Sequence, residues 1–211
     1  MQRSGILFSG LCLIVLIGAV ACTNPATGKP EAVVDDAVAD TTGSAEGVVF
    51  GIGAESSIGF VGSKVTGSHE GGFHSFHGEI TLVDNNVEAS RVEVVIDTTT
   101  LWADNERLTG HLKSPDFFEV ETFPTATFSS TAITADETGY TITGNLDLHG
   151  VTKSISFPAT IELGEGQITA DAEFSVKRFD FGIMYPGKAD DLIRDEVLIK
   201  LHLVGVTNEA G

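Results

Sequence analysis

The stretch that decides the fold is ISFPATIEL, residues 155–163. Ile155, Phe157, Ala159, Ile161 and Leu163 share one face of an extended chain, while Ser156, Thr160 and Glu162 share the other. A period of two belongs to a strand with one face on an apolar interior and one in water. The pattern recurs on both sides. Val92, Val94 and Ile96 alternate with Glu93 and Asp97, and Ile142, Leu146 and Leu148 with Thr141, Thr143, Asn145 and Asp147. Ala170, Ala172, Phe174 and Val176 form another run, as do Val197, Ile199, Leu201 and Leu203 against Lys200 and His202. Runs at 58–65, 73–83 and 126–133 bring the expected total to about eight strands. The turn signals between them are short: Asp84-Asn85-Asn86, Asp136-Glu137-Thr138-Gly139 and Gly164-Glu165-Gly166. Short connections favour antiparallel neighbours, and an eight-stranded antiparallel sheet with one apolar face folds into a sandwich or closes into a barrel. Closure removes the sheet edges, and a barrel of that size is either packed with side chains or holds one small ligand.

One region breaks the rhythm. Between Asp97 and Thr125 lies a long connection, and long connections are commonly lids or binding loops. Asp104 is placed to cap a short helix carrying Glu106, Leu108, His111 and Leu112, and Ser114-Pro115 to start a second helical turn. With Phe117 and Phe118 behind it, this segment is expected to cap one end of the barrel.

At this point the residues carry a resemblance. SKVTGSHEGGF (63–73), RLTGHLKSPDFFEVETFPTATF (107–128), GNLDLHGVTKSISFPATI (144–161) and FSVKRFDFGIMY (174–185) together resemble the YceI-like family of polyisoprenoid-binding proteins, over about 155 residues. The resemblance implies an all-β fold: an eight-stranded antiparallel, lipocalin-like β-barrel with a short helical cap between strands, its apolar pore holding a long isoprenoid chain. The Gly-x-Trp motif of true lipocalins is absent, since the single Trp is Trp102, in the cap region. The loop PGKADDLIRD (186–195) departs from the family's more Gly-rich version.

The chain has 211 residues, with 12 Lys and Arg against 30 Asp and Glu, a net charge of -18. Such a balance repels phosphate backbones and anionic bilayer surfaces, which excludes nucleic acid as a partner and charge as the means of reaching a membrane. Residues 1–21 supply another means. Arg3 followed by an apolar stretch from Ile6 to Ile17 reads as a secretory signal, and Ala19-Val20-Ala21-Cys22 resembles the bacterial lipobox, in which the Cys is acylated and becomes the mature N-terminus. The alternative is an ordinary signal cut at a small-residue site. Loss of 1–21 removes Arg3 alone among the charges and leaves -19. Residues 22–47 then read as the acylated Cys22 and a flexible acidic tether, reaching roughly 25 to 30 Å. Their alternative is an N-terminal strand or helix packed through Ala32-Val33-Val34. Residues 48–211 form the barrel domain. Export to the periplasmic side of the envelope follows, and Thr23 after Cys22 resembles outer-membrane lipoproteins if the cell is diderm.

The candidate ligand contacts are Phe60, Trp102, Leu108, His111, Leu112, Phe117, Phe118, Phe128, Phe174, Phe179, Phe181, Ile183 and Tyr185. Large rings with few hydroxyls suit an apolar chain, although core filling accounts for any single Phe equally well. Phe179, Phe181, Ile183 and Tyr185 share parity and are expected to form one wall of a strand. His69, His74 and His77 are close in sequence, but spacing sets His74 and His77 on opposite strand faces, so no metal is expected. No nucleophile elbow, HExxH or phosphate loop is present, so no catalytic residue is assigned. Asp190, Asp191 and Asp195 read as a solvated acidic turn, with weak calcium binding as the alternative. Expected partners are an isoprenoid lipid or quinone, bound without any cofactor, and the membrane through the acyl anchor, with a homodimer left open. Alternatives to lipid binding are an enzyme acting on such a lipid at the pore mouth and a structural or stress-protective surface lipoprotein.

Overall fold

The computed structural model describes residues 24–39 and 46–207. The expected signal peptide, Cys22 and the remainder of the tether lie outside the described residues.

In chain order the strands are β1 (Val33–Asp36), β2 (Val48–Ile52), β3 (Ser57–Lys64), β4 (Gly67–Phe73), β5 (Phe76–Val83), β6 (Asn86–Asp97) and β7 (Leu101–Ala103). After helix α1 (Glu106–Leu112) come β8 (Thr125–Ala135), β9 (Tyr140–Leu148), β10 (Val151–Leu163) and β11 (Gln167–Lys177). The two-residue strands β12 (Gly187–Lys188) and β13 (Asp191–Leu192) and the long β14 (Glu196–Thr207) complete the chain. Eleven of these fourteen segments make eight staves, because three staves are interrupted; β1, β12 and β13 lie outside the eight. β2 and β3 both pair with β14 and form the first stave, β4 with β5 forms the second, and β6 with β7 the third. β8, β9, β10, β11 and β14 follow in order, and β14 returns to β2 and β3. The result is a closed, antiparallel, up-and-down barrel with one short helix.

Turn chemistry explains the tight hairpins. Asp84 and Asn85 both take positive φ, at 50° and 55°, between β5 and β6. His149 and Gly150 do the same between β9 and β10, at 55° and 72°. Two consecutive left-handed residues match the twist of the flanking strands. Gly150 has a second reason to lack a side chain: a Cβ there would sit 2.5 Å from the Phe123 ring.

One seam is unusual. β10 pairs directly with β11 only over Thr160–Leu163. Toward the capped end the two strands part and β1 fills the space, antiparallel to β10 from Val33 against Ser156 to Asp36 against Lys153. On its other side Ser175 of β11 donates its N–H to the Pro30 carbonyl and accepts from Ala32 N–H, both at 2.8 Å. Pro158, which has no N–H to give, lies between the two pairing zones of β10. Residues 24–39 are therefore packed against the barrel, which corrects the expectation of a flexible tether across 22–47. The short apolar run Ala32-Val33-Val34 sufficed because it completes an existing sheet: Ala32 is 4% exposed and belongs to the barrel core.

The connection before β8 also differs in detail. The α1 N-cap is Asn105, whose side chain accepts from Leu108 N–H, while Asp104 instead takes His69 Nδ1 and the Glu70 N–H. Residues 114–122 form hydrogen-bonded turns and no second helix. The wall expected from Phe179 to Tyr185 is not a strand. Asp195 accepts the Phe179 N–H through its side chain and the Arg178 N–H through its carbonyl, winding Arg178–Phe181 into a 3-10 turn that Gly182 ends at φ 74°.

Candidate functional site

The inward faces of the staves enclose a cavity of about 480 Å³ that runs the length of the barrel. Its wall is built by the alternation seen in the sequence: Ile142 and Leu146 from β9, Ile155, Phe157, Ala159, Ile161 and Leu163 from β10, and Ile168, Ala170, Ala172, Phe174 and Val176 from β11. At one end α1 and the turns after it contribute Leu108, His111, Leu112, Phe117 and Phe118. A second, smaller core anchors this cap: Leu101, Leu112, Phe117 and Ile183 are buried together, with Phe60, Phe73, Leu108, Phe118, Tyr185 and Ile193 against them.

Two aromatic groups shape the capped end. Phe60, Phe73 and Phe118 form a triangle with centroids 5.9 to 6.4 Å apart. His111, Phe117 and Tyr185 form a tighter one, at 5.0 to 5.2 Å, in which His111 also bonds Asp116 at 2.8 Å through Nε2. Glycines make room for two of the pore rings. A Cβ on Gly71 would lie 2.4 Å from the Phe60 ring, and one on Gly144 would lie 2.5 Å from the Phe128 ring.

The mouth beside loop 186–195 is polar. Arg178 is 5% exposed and donates to three carbonyls: Nε to Arg194 at 3.0 Å, one terminal nitrogen to Ile183 at 2.6 Å and the other to Ile193 at 3.3 Å. Burial pulls the Arg178 guanidinium below its ordinary range, and nearby Asp195 acts in the opposite sense. Lys64 pairs with Asp191, which also accepts from the Thr66 hydroxyl and N–H. The hydrogen bond from Lys64 holds the Asp191 carboxyl below its ordinary value; burial opposes this and Thr66 adds to it. Ser63 Oγ and Arg194 Nε are buried without a hydrogen-bond partner among the described residues.

Eleven of the thirteen candidate contacts line this cavity: Phe60, Leu108, His111, Leu112, Phe117, Phe118, Phe128, Phe174, Phe181, Ile183 and Tyr185. Trp102 and Phe179 do not. On β7, parity turns Leu101 inward at 1% exposure and Trp102 outward at 37%, where it stacks on His74. Phe179, on the 3-10 turn, is 40% exposed and lies against the Arg178 guanidinium. The candidate contacts omit much of the aliphatic wall, including Ile80, Val94, Ile133 and Leu203, although alternation sets Val94 and Leu203 on the inward face. They also omit the cations at the mouth, which no periodic pattern signals.

The three clustered histidines do not converge: His69 pairs with Asp104 and His74 stacks on Trp102. Among the described residues no group of three or more His, Cys, Asp or Glu is arranged to hold a metal.

Residues 52–205 match the YceI-like domain. The chain belongs to the YceI-like family. It is 32% identical over 175 residues to a UPF0312 protein of Pseudomonas putida strain W619, covering 76% of this chain and 89% of that one. It is 33% identical over 156 residues to protein YceI of Salmonella arizonae, covering 68% and 80%. Among solved structures, BcnA of Burkholderia cenocepacia superposes with a TM-score of 0.63 at 27% identity, over 72% of this chain and 96% of that one. A polyisoprenoid-binding domain from Saccharophagus degradans superposes with a TM-score of 0.62 at 19% identity, over 76% and 99%, a likeness of fold. The YceI-like match begins within β2, so β1 and the segment before it lie outside the matched region.

Proposed function

We propose that this YceI-like barrel reversibly binds an amphiphile with an isoprenoid tail, of the polyprenyl or quinone type, and stores, carries or shields it without any covalent step. The observation that carries the reading is the predominantly apolar cavity along the barrel axis, with an aromatic cap at one end and most of its charged lining residues at the mouth beside loop 186–195. An apolar chain leaving water for such a wall gains about 0.8 kcal/mol per methylene. Pockets of roughly 300 to 1,000 Å³ with few polar groups are the usual form of small-ligand sites. The Saccharophagus degradans domain, named for polyisoprenoid binding, has the same fold and supports the reading.

The chain is further proposed to act as an exported lipoprotein, held by acylated Cys22 on the periplasmic side of the envelope. The support is the sequence of residues 1–22. The mass of the mature N-terminal peptide tests this directly, since diacyl or triacyl additions on Cys22 distinguish an anchor from simple cleavage.

Binding is tested by titrating the full chain with a polyprenol. Saturable uptake at one molecule per barrel is expected. Ala170→Trp, which places a large ring in the pore, should abolish uptake while the β-rich circular dichroism is retained. Uptake unaffected by that substitution would place the lipid elsewhere and contradict the reading.

A further inference from the structure

We propose that the polar mouth is an anion subsite that seats a phosphate or diphosphate headgroup on the bound lipid; the proposal rests on the pore being a lipid site. The first observation is how charge is distributed. In a chain of 12 cations and 30 acids, the cavity is bordered by Lys64, Arg178, Lys188 and Arg194 but by only two acids, Asp171 and Asp191. Those two are already engaged: Asp171 with His202 at 2.8 Å, and Asp191 with Lys64 and Thr66. Nearby Asp195 is committed to the Phe179 N–H at 2.9 Å.

The second observation is what the cations lack. Lys188 and Arg194 form no ion pair among the described residues, and Arg194 Nε is buried with no acceptor. Arg178 is buried with carbonyls as its hydrogen-bond acceptors, which satisfy its N–H groups without cancelling its charge. A buried donor without a partner costs free energy, and a buried cation such as Arg178, whose one nearby counter-charge among the described residues, Asp195, makes no ion pair with it, costs more. An anion at the mouth relieves both.

The groups are also linked in space. The Arg194 N–H donates to the Ser63 carbonyl at 2.9 Å, and the Arg194 carbonyl accepts from Arg178, so the two guanidinium-bearing residues and Ser63 are tied at one corner. Lys64 is next to Ser63 on β3, and the β-bridge from Lys64 to Ile193 holds the loop to that strand. Guanidinium groups match the oxygen geometry of phosphate, and several cations around one point suit a multiply charged headgroup better than a neutral carbonyl. The tail then runs into the apolar pore behind.

The test uses the full chain and two probes with the same tail, geranylgeranyl phosphate and geranylgeraniol, with inorganic phosphate as competitor. The phosphate ester should bind about tenfold or more tightly than the alcohol at low salt, and the gap should narrow at high salt. Arg194→Gln and Lys188→Gln should each weaken the ester far more than the alcohol; two variants guard against one failing to fold. Inorganic phosphate that competes against the ester and not against the alcohol also supports the subsite, as one that accepts the free anion. Equal affinities for ester and alcohol would overturn the subsite and leave the pore reading standing. Binding of neither probe would overturn the pore reading and the subsite with it.

Discussion

Phe157 of β10 and Phe174 of β11 stack face to face inside the barrel, 4.2 Å between centroids and 10° from parallel. They sit on the two strands that part to admit β1, so the rings bridge on the inside a seam whose backbone pairing is interrupted. Either ring replaced by Ala should cost about 3 to 5 kcal/mol, the range for buried aromatic truncation. The double variant should cost less than the sum, because each single change already breaks the shared contact. Urea unfolding of the four chains measures both.

The same seam predicts a role for the segment before the family domain. Ala32 is 4% exposed in the barrel core. Ala32→Asp buries a charge without a counter-ion and should lower stability by about 3 kcal/mol or more. Neutralising Lys29, whose ion pair with Glu173 is at the surface, should change it by less than about 1 kcal/mol. Equal effects from the two substitutions, read by thermal unfolding, would show that β1 is attached to the barrel and does not complete it.

Room for the pore rings comes from glycine. A Cβ at Gly71 meets both the Phe60 ring at 2.4 Å and the Trp102 carbonyl at 2.5 Å. Gly71→Ala should cost about 1 to 3 kcal/mol and weaken polyprenol uptake, since the Phe60 ring has to shift at the cavity wall. Trp102→Ala should leave uptake unchanged, because the indole is outside the barrel.

Acid should loosen the mouth. Asp191 titrates below its ordinary value of 3.8 in the folded chain, chiefly through its hydrogen bond from Lys64. Its contribution is therefore fully present above that ordinary value and is lost as the pH falls through the lowered folded value. Amide exchange at residues 187–192 should accelerate below about pH 4, and Lys64→Met should weaken that dependence, leaving the part that comes from Thr66.

The barrel was legible because each stave writes its alternation into the sequence. Ile155 to Leu163 and Ile199 to Leu203 needed no tertiary information to be placed on a common interior face. The departures have equally local causes. Parity across the interrupted third stave turned Trp102 outward, which a cap assignment based on proximity in sequence could not show. Phe179 was read as strand because the bonds that wind it into a turn come from Asp195, distant along the chain. The tether reading weighed the apolar content of residues 23–46 as an isolated segment, whereas Ala32 needed only an unfilled place in an existing sheet. Arg178 carried no signal, since its surroundings are made by backbone carbonyls distant from one another along the chain.

The most direct test of the account is native mass spectrometry of the full chain purified from its own host, followed by organic extraction and identification of whatever is released. The account predicts one isoprenoid-tailed lipid per barrel, absent from the Ala170→Trp variant. Consistent recovery of an unliganded chain that also refuses added polyprenols would contradict it.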